Sequence, residues 1–179
     1  MEKAIDKKEP GSQGGHDSKL EGLFLNELRE LYGVEQHQLH VLALLKRAAS
    51  SQKLKNVLAN HLDDTQVQIG RLERIFKTLG QDAEGRISEA ILGITREAEV
   101  VIAETERDTA TRDAGIIVAV QKLEHYEITS YGSLAQHAST LDHDDAGEIL
   151  ELSLFEEKEM DDLLTALAEL YINKEASRE

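Results

Sequence analysis

The sequence predicts an all-α protein, a four-helix bundle with one long crossover that contains a fifth, shorter helix. Three observations predict it. The chain holds a single proline, Pro10, so nothing beyond that position carries the strongest helix breaker. Apolar residues recur at three- and four-residue spacing through four long windows. Those windows are joined by a short, a long and a short connection, which fixes how they can pack.

Residues 1–17 are polar, Gly-rich and aperiodic, and are expected to form a disordered tail. Ser18 opens the first long helix, with Glu21 three residues on in a capping-box pattern, and the helical spacing runs to about Ala49. Ser50 and Ser51 form the break, and Ser51 is placed to cap the second helix, which runs to Leu79 with Gly80 at the C′ position. The connection 81–108 holds a shorter helix from about Ser88 to Glu104. The third long helix spans about Thr109 to Leu141, and Asp142-His143-Asp144 supply the caps for the fourth, which reaches about Asn173. The bundle is thus 18–173, with a polar end at 174–179. The short connections force antiparallel hairpins, and the long one can travel the length of the bundle. One long crossover is the ferritin-like arrangement; cytokine bundles have two and up-down bundles have none.

Composition narrows the function. Cys is absent, which excludes disulfides, thiolate zinc sites and iron–sulfur clusters. No apolar run approaches the roughly 20 residues of a membrane span, and no secretory signal opens the chain, so a cytoplasmic protein is expected. A formal net charge of −15 argues against nucleic acid or an anionic membrane as partner.

The core-facing stripes carry the chemistry. With about 100° per residue they read Phe24, Leu28, Leu31, Glu35, Leu39, Leu42 on the first helix and Val57, His61, Asp64, Gln68, Ile75, Leu79 on the second. On the third they read Ile117, Val120, Glu124, Glu127, Ile128, Tyr131, Ala135, and on the fourth Leu150, Leu154, Glu157, Asp161, Leu164, Ala168. Each stripe is apolar at its ends and acidic near its middle, so in an antiparallel bundle the acids meet at one height. Unpaired buried carboxylates cost several kcal/mol each, and no Lys or Arg sits on the stripes at that level. Two metal ions would neutralise them. Oxygen-rich donors suit iron or manganese, with zinc as a further candidate. The expected ligands are Glu35, Asp64, Glu124, Glu127, Glu157 and Asp161, with His61, Gln68 and Tyr131 as ligands or supporting groups. A network of protonated acids and waters is the structural alternative. His37 and His40 fall on the opposite face and read as solvated or subunit-contact residues.

The runs Tyr32-Gly33-Val34-Glu35, His61-Leu62-Asp63-Asp64-Thr65, Arg71-Leu72-Glu73, Gln121-Lys122-Leu123-Glu124-His125-Tyr126-Glu127 and Glu156-Glu157-Lys158 resemble the bacterial YciF-like stress proteins, the DUF892 family of ferritin-like proteins. The resemblance covers about 20–170 and is most specific at Glu124-His125-Tyr126-Glu127 with Tyr131-Gly132. It implies a ferritin-like bundle, a cytoplasmic location, dimers, and a likeness to rubrerythrin in the Glu124/Glu127 pair, but no settled reaction. One departure stands out. Ferritin-like di-iron proteins usually carry Glu-x-x-His on two helices, and this chain has that motif nowhere; Met160 stands three residues after Glu157.

The expected function is a dinuclear, di-iron protein of the stress response with oxidase- or peroxidase-type chemistry. The alternatives are iron binding without turnover and a structural dimer with a vestigial site. A homodimer is expected from the resemblance and from the apolar face of His37, His40, Val41 and Leu44.

Overall fold

The structure, a computed structural model, describes residues 18–179, so the expected tail 1–17 lies outside the described residues. Helix α1 spans Lys19–Ala48, α2 Gln52–Thr78, α3 Glu89–Glu104, α4 Ala110–Thr140 and α5 Asp144–Leu167. The last continues through a π-helical stretch, Ala168–Ile172, into a short α6, Asn173–Ala176. No strand occurs among the described residues. The pairs α1/α2 and α4/α5 are hairpins, and α3 rides in the crossover, burying only Ile91 and Ala98.

Several caps form as the local sequence predicts. Ser18 Oγ accepts from Glu21 N at 3.0 Å, Ser88 and Thr109 cap α3 and α4, and Gly80 takes φ 66° after α2. Two differ. Ser51 makes no side-chain cap; the Asp113 carboxylate reaches from α4 and accepts from Ser50 N at 2.6 Å and Ser51 N at 2.7 Å. These N–H groups precede the ones a Ser51 hydroxyl would cap, so the clasp ties the turn to α4 without replacing that cap. His143, at the start of α5, likewise caps nothing with its side chain and bonds Glu21 across the bundle end at 3.0 Å.

The crossover is pinned to α1 by a glycine pair. A Cβ at Gly33 would stand 2.5 Å from the Arg86 carbonyl oxygen, and one at Gly85 would stand 2.9 Å from Gly33 Cα. Arg86 N donates to Arg29 O at 2.9 Å, and its guanidinium pairs with Glu30. Only glycine lets the two backbones come this close.

The apolar interior is in two parts. One cluster gathers Phe24, Leu28, Leu31, Leu72, Phe76 and Leu150; the other gathers Leu42, Leu45, Leu54, Leu58, Val120 and Leu164. Between them the stripes of α1, α2, α4 and α5 turn polar.

Candidate metal centre

Four helices contribute to that polar layer. Glu35 of α1, His61 and Gln68 of α2, Glu124, Glu127 and Tyr131 of α4, and Glu157 of α5 are all at most 1 % exposed. One donor atom from each of His61, Glu124, Glu127 and Glu157 lies within 4.8 Å of the other three. Glu35 adjoins the group, since its charge raises the pKa of both Glu124 and Glu127.

The hydrogen bonds leave this layer incomplete. Tyr131 donates its hydroxyl to Glu35 Oε1, and Gln68 Nε2 donates to Glu157 Oε1. His61 Nε2 lies 2.9 Å from Glu124 Oε1 and 3.0 Å from Gln38 Nε2. One ring nitrogen cannot both donate to Glu124 and accept from Gln38, so these two contacts compete for it. Glu35 Oε2, Glu124 Oε2, Glu157 Oε2 and both oxygens of Glu127 have no partner, nor do the amide oxygens of Gln38 and Gln68. Among the described residues His137 Nδ1 is the one further buried side-chain atom in that state. The unsatisfied acceptors are therefore gathered at one level of the bundle, facing one another.

The electrostatics follow. Burial, then the Glu157 charge, pushes Glu35 up to about 8. Burial does the same to Glu124, to about 8, and burial with the Glu124 charge takes Glu157 to about 9. Glu127 is raised well above the carboxylate range by burial and by Glu35, while burial lowers His61 and keeps it neutral. The carboxylate shifts all disfavour bare negative charge, and a cation among these oxygens would reverse them; the His61 shift disfavours its cationic form.

Two expected ligands stand apart. Asp64 is exposed, and Asp161 is half-buried, its Oδ1 accepting from Gln121 Nε2 at 3.0 Å and its Oδ2 lying 3.5 Å from His125 Nε2. On α2 the buried line runs His61, Thr65, Gln68, Leu72, so Thr65 takes the core position assigned to Asp64. Gln38, buried one turn after Glu35, is the polar residue that the stripe reading passed over in favour of Leu39. Outside the layer, Glu156 accepts from Arg71 Nη1 at 2.5 Å and Nη2 at 2.7 Å, and also from Gln68 Nε2 at 3.1 Å. This half-buried ion pair holds the amide that touches Glu157. His37 and Val41 do not form an open face: His37 Nε2 lies 3.0 Å from Thr95 Oγ1 of α3, and Val41 is buried.

A profile of the family described as "Domain of unknown function (DUF892)" matches residues 19–177. The chain belongs to the DUF892 family. A DUF892 relative, Protein YciF of Escherichia coli (strain K12), is 39 % identical over 158 residues, 88 % of this chain and 95 % of that protein. The crystal structure of the E. coli stress protein YciF matches with a TM-score of 0.82 at 38 % identity, over 87 % of this chain and 98 % of that one. YcfI of Rhodopseudomonas palustris, a candidate structural protein, matches with a TM-score of 0.80 at 36 % identity, over 87 % and 97 % of the two chains. A Xanthomonas campestris protein at 20 % identity, TM-score 0.71, shares the fold. Among the described residues no helix is long and apolar enough to cross a membrane.

Proposed function

We propose that the polar layer is a dinuclear metal site, loaded with iron in the first instance, in a cytoplasmic stress-response protein of oxidase or peroxidase type. The observation that carries this reading is the set of orphaned buried oxygens on Glu35, Glu124, Glu127 and Glu157. Folded chains seldom leave such acceptors bare, and a ligand from outside the chain would satisfy them. The donor set fits: four carboxylates and one imidazole suit iron or manganese, and zinc less well. Glu35, His61, Glu124, Glu127 and Glu157 would hold the ions. When bound, iron would supply redox chemistry toward O₂ or peroxide at an open coordination position.

The protein's own share is preparation of the ligands. Gln68 fixes the Glu157 carboxylate, and the Arg71–Glu156 pair fixes Gln68. Tyr131 orients Glu35 through its hydroxyl. The two apolar clusters keep bulk water from above and below. Homodimerisation is part of the proposal, with Leu152, Phe155 and Leu163 on the outer face of α5, 46–59 % exposed, as the apolar surface available to a second copy.

A second reading, iron binding without turnover or a structural dimer with a vestigial site, draws on two observations. Among the described residues His61 is the one imidazole in the layer, and the relative YcfI of R. palustris is a candidate structural protein. Metal analysis of the purified protein, then anaerobic Fe(II) loading followed by air or peroxide under absorbance, separates the readings. Repeated coloured oxidation supports the enzyme and stoichiometric binding alone supports storage. No binding by iron, manganese or zinc overturns the metal site.

A further inference from the structure

At the bundle end where α1 passes into α2, a cleft of about 820 Å³ opens against the α3–α4 turn. That is within the size range of small-molecule sites, roughly 300–1,000 Å³. Its charge is the reverse of the molecule's. Acids outnumber bases 35 to 20 in the chain, yet the cleft is lined by Arg47, Lys55, Arg107 and Arg112 with Asp108 as its one acid. A groove continuing from it past Arg47 and Lys55 adds Lys46 and no acid. Among the described residues Arg47, Lys55 and Arg107 make no ion pair, in a protein with carboxylates to spare. Arg112 is 6 % exposed; its Nε and Nη2 bond Thr105 and the Ile102 carbonyl, while Nη1 has no protein acceptor among the described residues.

Helix stabilisation does not account for these cations. Lys46 and Arg47 suit the negative end of α1, where cations are favoured. Lys55 sits near the start of α2, whose first turn holds no acid, and Arg107 lies two residues before Thr109, the cap of α4. Carboxylates already hold both helix starts, Asp113 at α2 and Glu179 at α4, yet among the described residues neither cation forms an ion pair with them. Three unpaired cations and a buried guanidinium around one cleft make a receptor for a compact anion with several charges, and guanidinium forks match phosphate oxygens. An extended polyanion would meet the repulsion of the remaining acidic surface.

We propose that this cleft binds a small phosphate-bearing anion, at a site separate from the acid layer. The test is an amide NMR titration of the full, metal-free chain with inorganic pyrophosphate at low ionic strength, which leaves the metal reading out of the outcome. Saturable shifts confined to residues 46–56 and 102–112 are expected. Arg107→Ala, in an exposed turn, should weaken binding about tenfold, and Lys55→Ala with Arg107→Ala about a hundredfold. Both variants should melt within about 2 °C of wild type, because each removes a surface side chain that makes no ion pair among the described residues; Lys77→Ala should bind as wild type does. The proposal is overturned by shifts that do not saturate, by shifts centred elsewhere, or by unchanged affinity in the double variant. Tighter binding of a short DNA duplex through the same residues would also overturn it.

Discussion

Asp113 and Glu127 are acids on the same helix, one 1 % exposed and the other fully buried, and the fold treats them oppositely. Each oxygen of Asp113 accepts a backbone N–H, from Ser50 and Ser51, and ties the start of α2 to α4. Among the described residues neither oxygen of Glu127 has a hydrogen-bond partner, and the charges of Glu35, Glu157 and Glu124 press on it. Burial therefore does not distinguish the two acids. Satisfaction does, because an unpartnered buried acceptor forfeits its hydration with nothing in exchange.

The same chemical change should thus have opposite effects in the two places. Asp113→Asn removes the charge from two hydrogen bonds and turns an amide N–H₂ toward a backbone donor. It should destabilise the protein by about 3 kcal/mol, a fall of roughly 6–12 °C in Tm. Glu127→Gln should raise Tm at pH 7.5 in the metal-free protein. Thermal melts of the two variants should move in opposite directions, and a loss of stability in both would contradict this.

Next in size is the glycine crossing beside the layer. Gly33→Ala places a methyl 2.5 Å from the Arg86 carbonyl, so the crossover must shift, at about 1–3 kcal/mol. Urea titration should show a lower midpoint with an unchanged slope.

Comparable in size is the pH dependence of the metal-free protein. Glu35, Glu124 and Glu157 have folded pKa values near 8 to 9, above the unfolded value, and Glu127 is raised as well. The stability tied to their protonated forms is full below the unfolded pKa and is lost as pH rises through 8 to 9. Tm should therefore climb as pH falls from 8.5 to 6.5, by about 5 °C for one net proton. Below the ordinary imidazole range the lowered pKa of His61 opposes this, because the unfolded chain then takes up a proton that the folded one refuses. A differential scanning calorimetry series that rises through pH 8.5 would contradict the assignment of raised pKa values.

The smallest effect on stability belongs to Arg71→Ala. The ion pair with Glu156 is part-exposed and contributes under about 1 kcal/mol. Because it holds Gln68 against Glu157, its loss should still weaken Co(II) affinity about tenfold, read by visible absorbance titration. Unchanged affinity would show that the pair serves the surface alone.

Much of this was legible in the sequence, for reasons that also mark its limits. Glu35, Glu124, Glu127 and Glu157 break apolar stripes at the middle of long helices, and only a shared polar layer reconciles that with burial. Asp64 and Asp161 lie about 60° and 40° around their helices from His61 and Glu157, at stripe edges where a shallow turn of the helix decides burial. Gln38 was within reach, since Leu31, Val34, Gln38, Val41 and Leu45 form an unbroken line of buried positions. The Asp113 clasp was not, because its partners lie 62 and 63 residues away and only the assembled bundle brings them together.

If the acid layer holds metal, Fe(II) must stabilise the fold that presents it. Anaerobic thermal melts at pH 7.5 compare wild type and Glu127→Gln, each metal-free and with excess Fe(II). Metal held by the folded layer and not by the unfolded chain would raise wild-type Tm by several degrees with Fe(II). Glu127→Gln should melt higher than wild type without metal and gain little from adding it. A wild-type Tm that ignores Fe(II), together with a Glu127→Gln variant less stable than wild type, would mean that the acids are a structural hydrogen-bond network and that the metal site does not exist.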